Sequence, residues 1–244
     1  MKAISKVRIS SSRFLLKPFL SSLAVLSLAG CFGSSSGGGA ALTGGGGGGG
    51  GTGSSGGSGG ATPTPTAFAA AFDRTTNLPP SINPLTGRAN YSGQVEVLTN
   101  SDPNNAQEAV FGDVAMAIDF APGASRPISG TVGNFAGKVG GTDVQITGTL
   151  STANAQSSAP NEVTVNSFAA PVTGTQITQT GIVATFNGDL TDPANKLSGS
   201  AEMTILGSFN GSTGEGLIGS NGVGIRPQTG AGFISGGRFY ANRN

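Results

Sequence analysis

The chain has 244 residues, of which 43 are Gly and only 10% are charged, whereas average domains hold about 7% Gly and about 25% charged residues. It contains one Cys, no His and no Trp. The absence of His excludes the usual general base and the commonest metal and haem ligand. We therefore expect a protein that is not an enzyme and has no cofactor. Seventeen of the glycines lie between Gly33 and Gly60, which predicts a low-complexity segment joined to one moderate domain.

Residues 1–30 are predicted to be a lipoprotein signal peptide. Five basic residues and no acidic residue accompany an apolar run of about a dozen residues, which is typical of a secretory signal and too short to span a bilayer. The run ends in Leu28, Ala29, Gly30 and Cys31, which resembles the bacterial lipobox. The resemblance implies that Cys31 carries a thioether-linked diacylglycerol and becomes the first residue after cleavage. An ordinary signal peptide with a chance Cys is the alternative.

The resemblance also implies a location. In such lipoproteins of enteric-like bacteria an Asp after the Cys favours retention in the inner membrane, and Phe32 stands there instead. We therefore expect a lipid-anchored protein of the outer membrane, at the cell surface of a Gram-negative bacterium. Without residues 1–30 the chain keeps 8 of its 13 basic residues and all 12 acidic ones, a net charge near −4. Nucleic acid, which requires a clustered basic face, is not an expected partner.

A tether is predicted over residues 31–66. Gly33 to Gly60 consists almost wholly of Gly, Ser, Ala and Thr, so it cannot bury enough apolar surface to offset its ordering entropy and is expected to be disordered. Thirty such residues have an end-to-end distance of roughly 30 Å and a full extension of about 100 Å. Residues 67–87 are predicted as a linker. They either include a short helix from Ala67 to Arg74 that packs on the domain or continue the tether.

Residues 88–244 are predicted to be all-β. The clearest pattern alternates Val114, Met116, Ile118 and Phe120 with Asp and Ala, as in an antiparallel strand with one face in a core. Eight to ten short strands are expected over residues 90–241, and closure into a single eight-stranded antiparallel barrel removes their edges. An open sandwich is the alternative. Since transmembrane strands need about 9–11 residues and aromatic girdles, a water-soluble barrel is expected. Further predicted strands include Gln94–Val97, Asp143–Thr147, Glu162–Val165 and Ala201–Ile205.

Several Gly and hydrophobic motifs follow one another in this domain. Their order resembles the eight-stranded barrel of transferrin-binding protein B and related surface lipoproteins of the Slam-dependent type, such as factor H binding proteins and haemophilin-like proteins. The resemblance covers roughly residues 88–241 and implies the same fold on a Gly-rich anchor peptide. Only one barrel fits in this chain, and the His of haem-binding members is absent, so no transferrin-binding or haem-binding residue is carried over. The motifs are Tyr91-Ser-Gly93, Ile118-Asp119-Phe120, Ile128-Ser129-Gly130-Thr131, Leu197-Ser198-Gly199, Gly207-Ser-Phe209-Asn-Gly211, Ala231-Gly-Phe233 and Gly236-Gly237-Arg-Phe239.

Three catalytic or metal-binding patterns are incomplete. The Gly133–Val139 stretch has its glycines one residue too close for a phosphate loop and lacks the final Ser or Thr, so a turn is expected. A Ser–Lys pair that uses Lys138 or Lys196 has no flanking motif. Asp189 and Asp192, near Asn187, lack the ligand count and bidentate Glu of a Ca²⁺ loop, so a solvated turn is expected.

We expect the barrel to bind a host or environmental protein, or a small nutrient, through its loops, because loops on a rigid scaffold usually carry recognition. The expected loops are residues 100–109, 151–161 and 212–226. The alternatives are a structural envelope lipoprotein without a ligand and a haem carrier. The remaining plausible haem ligands, each more easily explained as core or rim, are Tyr91, Tyr240, Met116 and Met203.

Overall fold

The computed structural model describes residues 64–100, 107–169, 174, 176–193, 197–227 and 232–244. The predicted signal peptide, the lipobox with Cys31, and nearly all of the tether lie outside these ranges, as does Lys196. Within these ranges, one helix and nine strands follow in chain order. They are α1 (Pro65–Thr76), β1 (Arg88–Leu98), β2 (Ala109–Asp119), β3 (Ile128–Val139), β4 (Thr142–Ser151), β5 (Asn161–Ala169), β6 (Gln176–Thr191), β7 (Gly199–Asn210), β8 (Gly216–Arg226) and β9 (Phe233–Arg243).

Eight strands form a closed antiparallel barrel. The order β4-β3-β2-β1-β9-β8-β7-β6 closes because the second half of β6 pairs with β4, with Thr147 opposite Thr191 and Ser151 opposite Asn187. The first half of β6 pairs instead with β5. The predicted eight-stranded barrel is confirmed, and the sandwich alternative is wrong. The ninth strand, β5, adds to β6 outside the closed ring.

Alternating side chains of every barrel strand fill the interior. Val114, Met116 and Ile118 of β2 are at most 3% exposed and belong to one apolar core with side chains from the other barrel strands. The expectation of short strands is wrong, because the strands span 9–16 residues. Gly, Thr and Asn continue them beyond the apolar alternation that marks a strand in sequence. Strand length therefore does not distinguish this barrel from a transmembrane pore, whereas its packed apolar interior differs from the polar interior of such pores.

The Gly-Gly-x-Phe segment of β9 has a specific place in this core. A Cβ on Gly237 would collide with the backbone oxygen of Glu96 in β1. Because Gly237 has no side chain, Asn221 of β8 reaches across β9, and its Nδ2 donates to the oxygens of Glu96 at 2.9 Å and Arg238 at 3.1 Å. Phe239 follows as a fully buried core residue.

Helix α1 includes the predicted Ala67–Arg74 stretch and extends it at both ends. Thr64 is the N-cap, and its Oγ1 accepts from the N–H of Ala67 at 3.2 Å. Pro65 follows at the first helical position, where the missing N–H costs nothing. Among the described residues α1 is the one helix, and its length and hydropathy fall short of what a bilayer-spanning helix requires.

Candidate functional site

Helix α1 packs on the outer wall of the barrel. Its Phe68 is fully buried against Phe111 of β2 and Tyr240 of β9, with ring centroids 5.3 Å and 5.4 Å away. Ala71, one turn later, belongs to the same cluster. The outward-facing Phe111 and Tyr240 therefore form an apolar seat for the helix, separate from the interior core.

The C-terminal end of α1 sits on a glycine. A Cβ on Gly216 of β8 would lie 2.5 Å from Thr75 Cγ2, so only a residue without a side chain admits the helix at this distance. Nδ2 of Asn210 donates to the backbone oxygen of Thr75 at 3.1 Å, and Thr75 Oγ1 lies 3.1 Å from Oδ1 of Asn242. The Asn210 contact satisfies the helix-end carbonyl of Thr75, which has no partner within the helix.

The other end of α1 borders a depression that we call the helix groove. It has a volume of about 720 Å³ and lies between Thr64, Pro65 and Ala69 of the helix end and the outer faces of β1–β4 and β9. Its apolar lining includes Ala109, Phe111, Ala136 and Val144. Its charged lining consists of Glu96, Glu108, Lys138, Asp143 and Arg238. A volume of this size is in the range of about 300–1,000 Å³ typical of small-molecule sites.

Arg238 links the groove to the helix. Its Nε lies 2.6 Å from Oε2 of Glu96, whose side chain is only 14% exposed. Its guanidinium carbon lies 4.7 Å from the ring centroid of Phe72 and 5.4 Å from that of Phe68. A cation over an aromatic face is favourable, so the ion pair and the two rings hold Arg238 in a fixed orientation.

Glu108 is the carboxylate of the groove that the described residues leave without an ion pair. Its Oε1 accepts from the N–H of Gly141 at 2.8 Å, whereas its Oε2 is buried and accepts from none of the described residues. Lys138 lies 3.5 Å from Asp143 in an exposed pair, which contributes little to stability. Since a buried unpaired acceptor is unfavourable, Glu108 Oε2 is an unsatisfied acceptor at the groove within the part of the chain that the structure describes.

The residues considered as haem ligands lie in two places. Tyr91 is inside the barrel, where its OH donates to the backbone oxygen of Gly214 at 2.8 Å and burial raises its pKa to about 12. Met116 and Met203 also belong to the interior core. Tyr240 lies under α1, donates to Oε1 of Gln94 at 3.1 Å, and has a raised pKa because of burial. The structure does not bring these four residues together at one opening.

The stretch from Gly133 to Val139 is not the expected turn but most of strand β3. Its Lys138 lies at the rim of the helix groove. The expected solvated turn is wrong, because Asp189 lies within β6 and Asp192, in the turn that follows, is only 1% exposed. Oδ2 of Asp192 accepts from the N–H of Leu197 at 3.2 Å. Asn187 Nδ2 lies 3.3 Å from Oε2 of Glu202. Among the described residues no group of three or more Cys, Asp or Glu side chains is placed to hold a metal ion.

The three expected loops have different outcomes. Of the expected loop over residues 151–161, residues 152–160 form the β4–β5 connection, and the two end residues belong to the strands. The expected loop over residues 100–109 lies in the β1–β2 connection except for Ala109, which begins β2, and positions 101–106 lie outside the described ranges. The expected loop over residues 212–226 is wrong, because β8 begins at Gly216 and only residues 211–215 connect it to β7. Four glycines in β8 interrupt the apolar alternation that would have marked it as a strand.

Sequence reasoning missed the helix groove. The pattern that could have indicated it is the Thr64-Pro65 helix start followed by Phe68 and Phe72, four residues apart on one helix face. The charged residues Glu96 and Arg238 are 142 positions apart, so no local motif joins them.

The chain matches no family model, and no curated protein is significantly similar to it. Its class is therefore defined by the fold alone. It is a closed eight-stranded antiparallel β-barrel with a helix packed on its outer wall, an architecture compatible with the barrels of surface lipoproteins.

Proposed function

We propose that this protein is a surface-exposed outer-membrane lipoprotein whose barrel is a non-catalytic binding module for a host protein or a nutrient, as in the transferrin-binding-protein-like barrels that it resembles. The observation that carries the proposal is the helix groove, which combines an apolar floor with five charged side chains at its margin. Concave sites of this composition are typical of ligand recognition. Lipidation at Cys31 would hold the module at the membrane.

The groove favours a ligand of limited size with a cationic or N–H group. Its volume of about 720 Å³ suits a small nutrient or one projecting segment of a protein. Glu96 and Arg238 neutralise each other at 2.6 Å, so the carboxylate of Glu108 supplies the charge that is left for the ligand. An amine or amide N–H that reaches Glu108 Oε2 would satisfy an acceptor to which no described residue donates.

Capture with groove variants tests the proposal. The full chain would be used to retain ligands from serum and from growth medium, followed by mass spectrometry of proteins and small molecules. Gln145 lies on β4 at the groove, and Thr149 lies four residues along the same face of that strand, away from the groove. We expect Gln145→Trp to fill the groove and abolish capture, whereas Thr149→Trp, an equally bulky change, leaves it intact.

The same experiment separates the alternatives. Capture of nothing specific would support a structural envelope lipoprotein, and capture that survives Gln145→Trp would place the binding site elsewhere. Addition of haemin to the protein tests the haem carrier, since coordination by Tyr or Met would shift the Soret band.

A further inference from the structure

Strand β5 lies outside the closed ring of the barrel. One of its two edges pairs with β6, and the other edge has no paired strand in the described part of the chain. At its start, the side chain of Asn161 takes the place of a neighbouring strand: its Oδ1 accepts from the N–H of Ile128 at 2.9 Å, and its Nδ2 donates to the oxygen of Ile128 at 2.7 Å. Beyond Asn161, β5 pairs only with β6 in the described part of the chain. We call residues Glu162–Ala169 the β5 edge. No other described strand pairs with its outer backbone N–H and C=O groups.

The β5 edge has few of the features that usually block edge-to-edge pairing. Natural edges are protected by shortness, charged side chains (Lys above all), Pro or a bulge, and Glu162 is the one charged residue of this edge. The β5 strand has nine residues, none of them Pro, Lys or Arg, and its register with β6 runs without a shift from Asn161 to Ala169. Val165 is 55% exposed and Phe168 is 48% exposed. A long, regular and partly apolar edge of this kind pairs readily with another strand.

A groove beside the edge has room for that strand. It has a volume of about 630 Å³ and lies between β5, residues 84–86 and the β2–β3 connection. Its apolar lining includes Leu85, Phe120, Pro122, Val163 and Val165. A strand added to β5 would therefore meet apolar side chains as well as free backbone groups, as in other cases of strand addition.

We propose that the β5 edge pairs with the β5 edge of a second copy of this chain, antiparallel and two-fold symmetric about Val165. In this register Val165 lies opposite Val165 of the second copy, and Thr164 lies opposite Asn166. Glu162, the one charged residue of β5, lies opposite Phe168. No like charges face each other in this register, so electrostatic repulsion does not oppose the pairing of two β5 strands. A two-fold pairing also closes the assembly at two chains, because it uses the same edge on both.

Cysteine cross-linking tests this arrangement in the full chain. Cys31→Ser makes an introduced cysteine the sole thiol. In an antiparallel pair the Cα atoms of opposite residues are about 4.5–5.5 Å apart, within the range of about 4.4–6.8 Å that disulfides bridge. We expect Val165→Cys to form a disulfide-linked dimer on mild oxidation. The matched control is Ile234→Cys on β9, which is 89% exposed and is expected to stay uncross-linked.

A mass measurement by light scattering in mild detergent provides the second test. The Cys31→Ser chain should have the mass of a dimer. Val165→Lys places two cations opposite each other at the two-fold axis, so the dissociation constant of the dimer should rise at least tenfold. Ile234→Lys should leave the dissociation constant unchanged. Both positions are exposed, and equal circular dichroism spectra establish that both variants are folded.

Three results would overturn the proposal. The first is a monomer at every concentration. The second is a dimer that survives Val165→Lys or cross-links equally through residue 234, because its interface would lie elsewhere. The third is a monomer whose β5 amides exchange slowly with solvent, because another segment of the same chain would then cover the edge.

Discussion

Truncation of Phe68 should release α1 from the barrel without unfolding the barrel. Phe68 is fully buried between the helix and the rings of Phe111 and Tyr240. Replacement of a buried Phe by Ala costs about 3–5 kcal/mol. A helix of 12 residues is marginal in water without tertiary contacts, so a loss of this size removes most of what keeps it helical.

Amide hydrogen exchange measures the loss of protection in α1 and in the barrel strands of the Phe68→Ala variant. A loss of about 3 kcal/mol corresponds to exchange that is faster by roughly a hundredfold, and we expect this change for the α1 amides in Phe68→Ala. Amides of β1 and β2 should keep their protection, because Val95 and Val114 belong to the separate interior core.

Phe72→Ala is the matched control. It removes the same atoms from the same helix, but Phe72 is only partly buried, so its effect on α1 should be clearly smaller. Unchanged exchange of α1 in Phe68→Ala would refute the packing argument. Equal loss of protection in α1 and in the barrel strands would refute the view that the helix opens independently.

Three further predictions concern stability. Gly216→Ala should destabilise the packing of α1 on the barrel by about 1–3 kcal/mol through overpacking. Gly222→Ala on the same strand, where a Cβ meets nothing within 4 Å, should be close to neutral. The hydrogen-exchange rates of the α1 amides compare the two variants. Asn161→Ala leaves a buried N–H and C=O unpaired and should cost about 2–4 kcal/mol in urea unfolding, whereas Asn166→Ala, exposed on the same strand, should cost little. Burial raises the pKa of Tyr91 from 10.0 to about 12, so its stabilising contribution is complete below pH 10 and is lost as the pH rises towards 12; an ultraviolet titration that finds Tyr91 ionised near pH 10 in the folded protein would contradict this.

The barrel strands could be predicted from the sequence because the alternation of apolar and polar residues is a local pattern. Val114, Met116 and Ile118 predict an inward face, and the structure places all three in the core. The sequence did not predict β8, because Gly219, Gly222 and Gly224 have no side chains to show which face of the strand points inward. The backbone pairing of β8 with β7 and β9 defines that strand instead.

The candidate site was harder to predict than the fold. Glu96 and Arg238 meet because β1 pairs with β9, the first barrel strand with the last, and only closure of the ring reveals this contact. The pairing of Glu108 likewise depends on the turn at Gly141, whose N–H donates to Oε1. Composition could exclude histidine chemistry, but it could not place these groups together.

The lipid anchor at Cys31 is the claim that places the proposed binding module at the membrane, and intact-mass analysis of the protein extracted from membranes tests it. We predict a chain that begins at residue 31, with diacylglycerol on the Cys31 sulfur, and a Cys31→Ser protein that no longer sediments with membranes. A membrane-bound chain with an unmodified Cys31, or a Cys31→Ser protein that remains equally attached, would contradict the account.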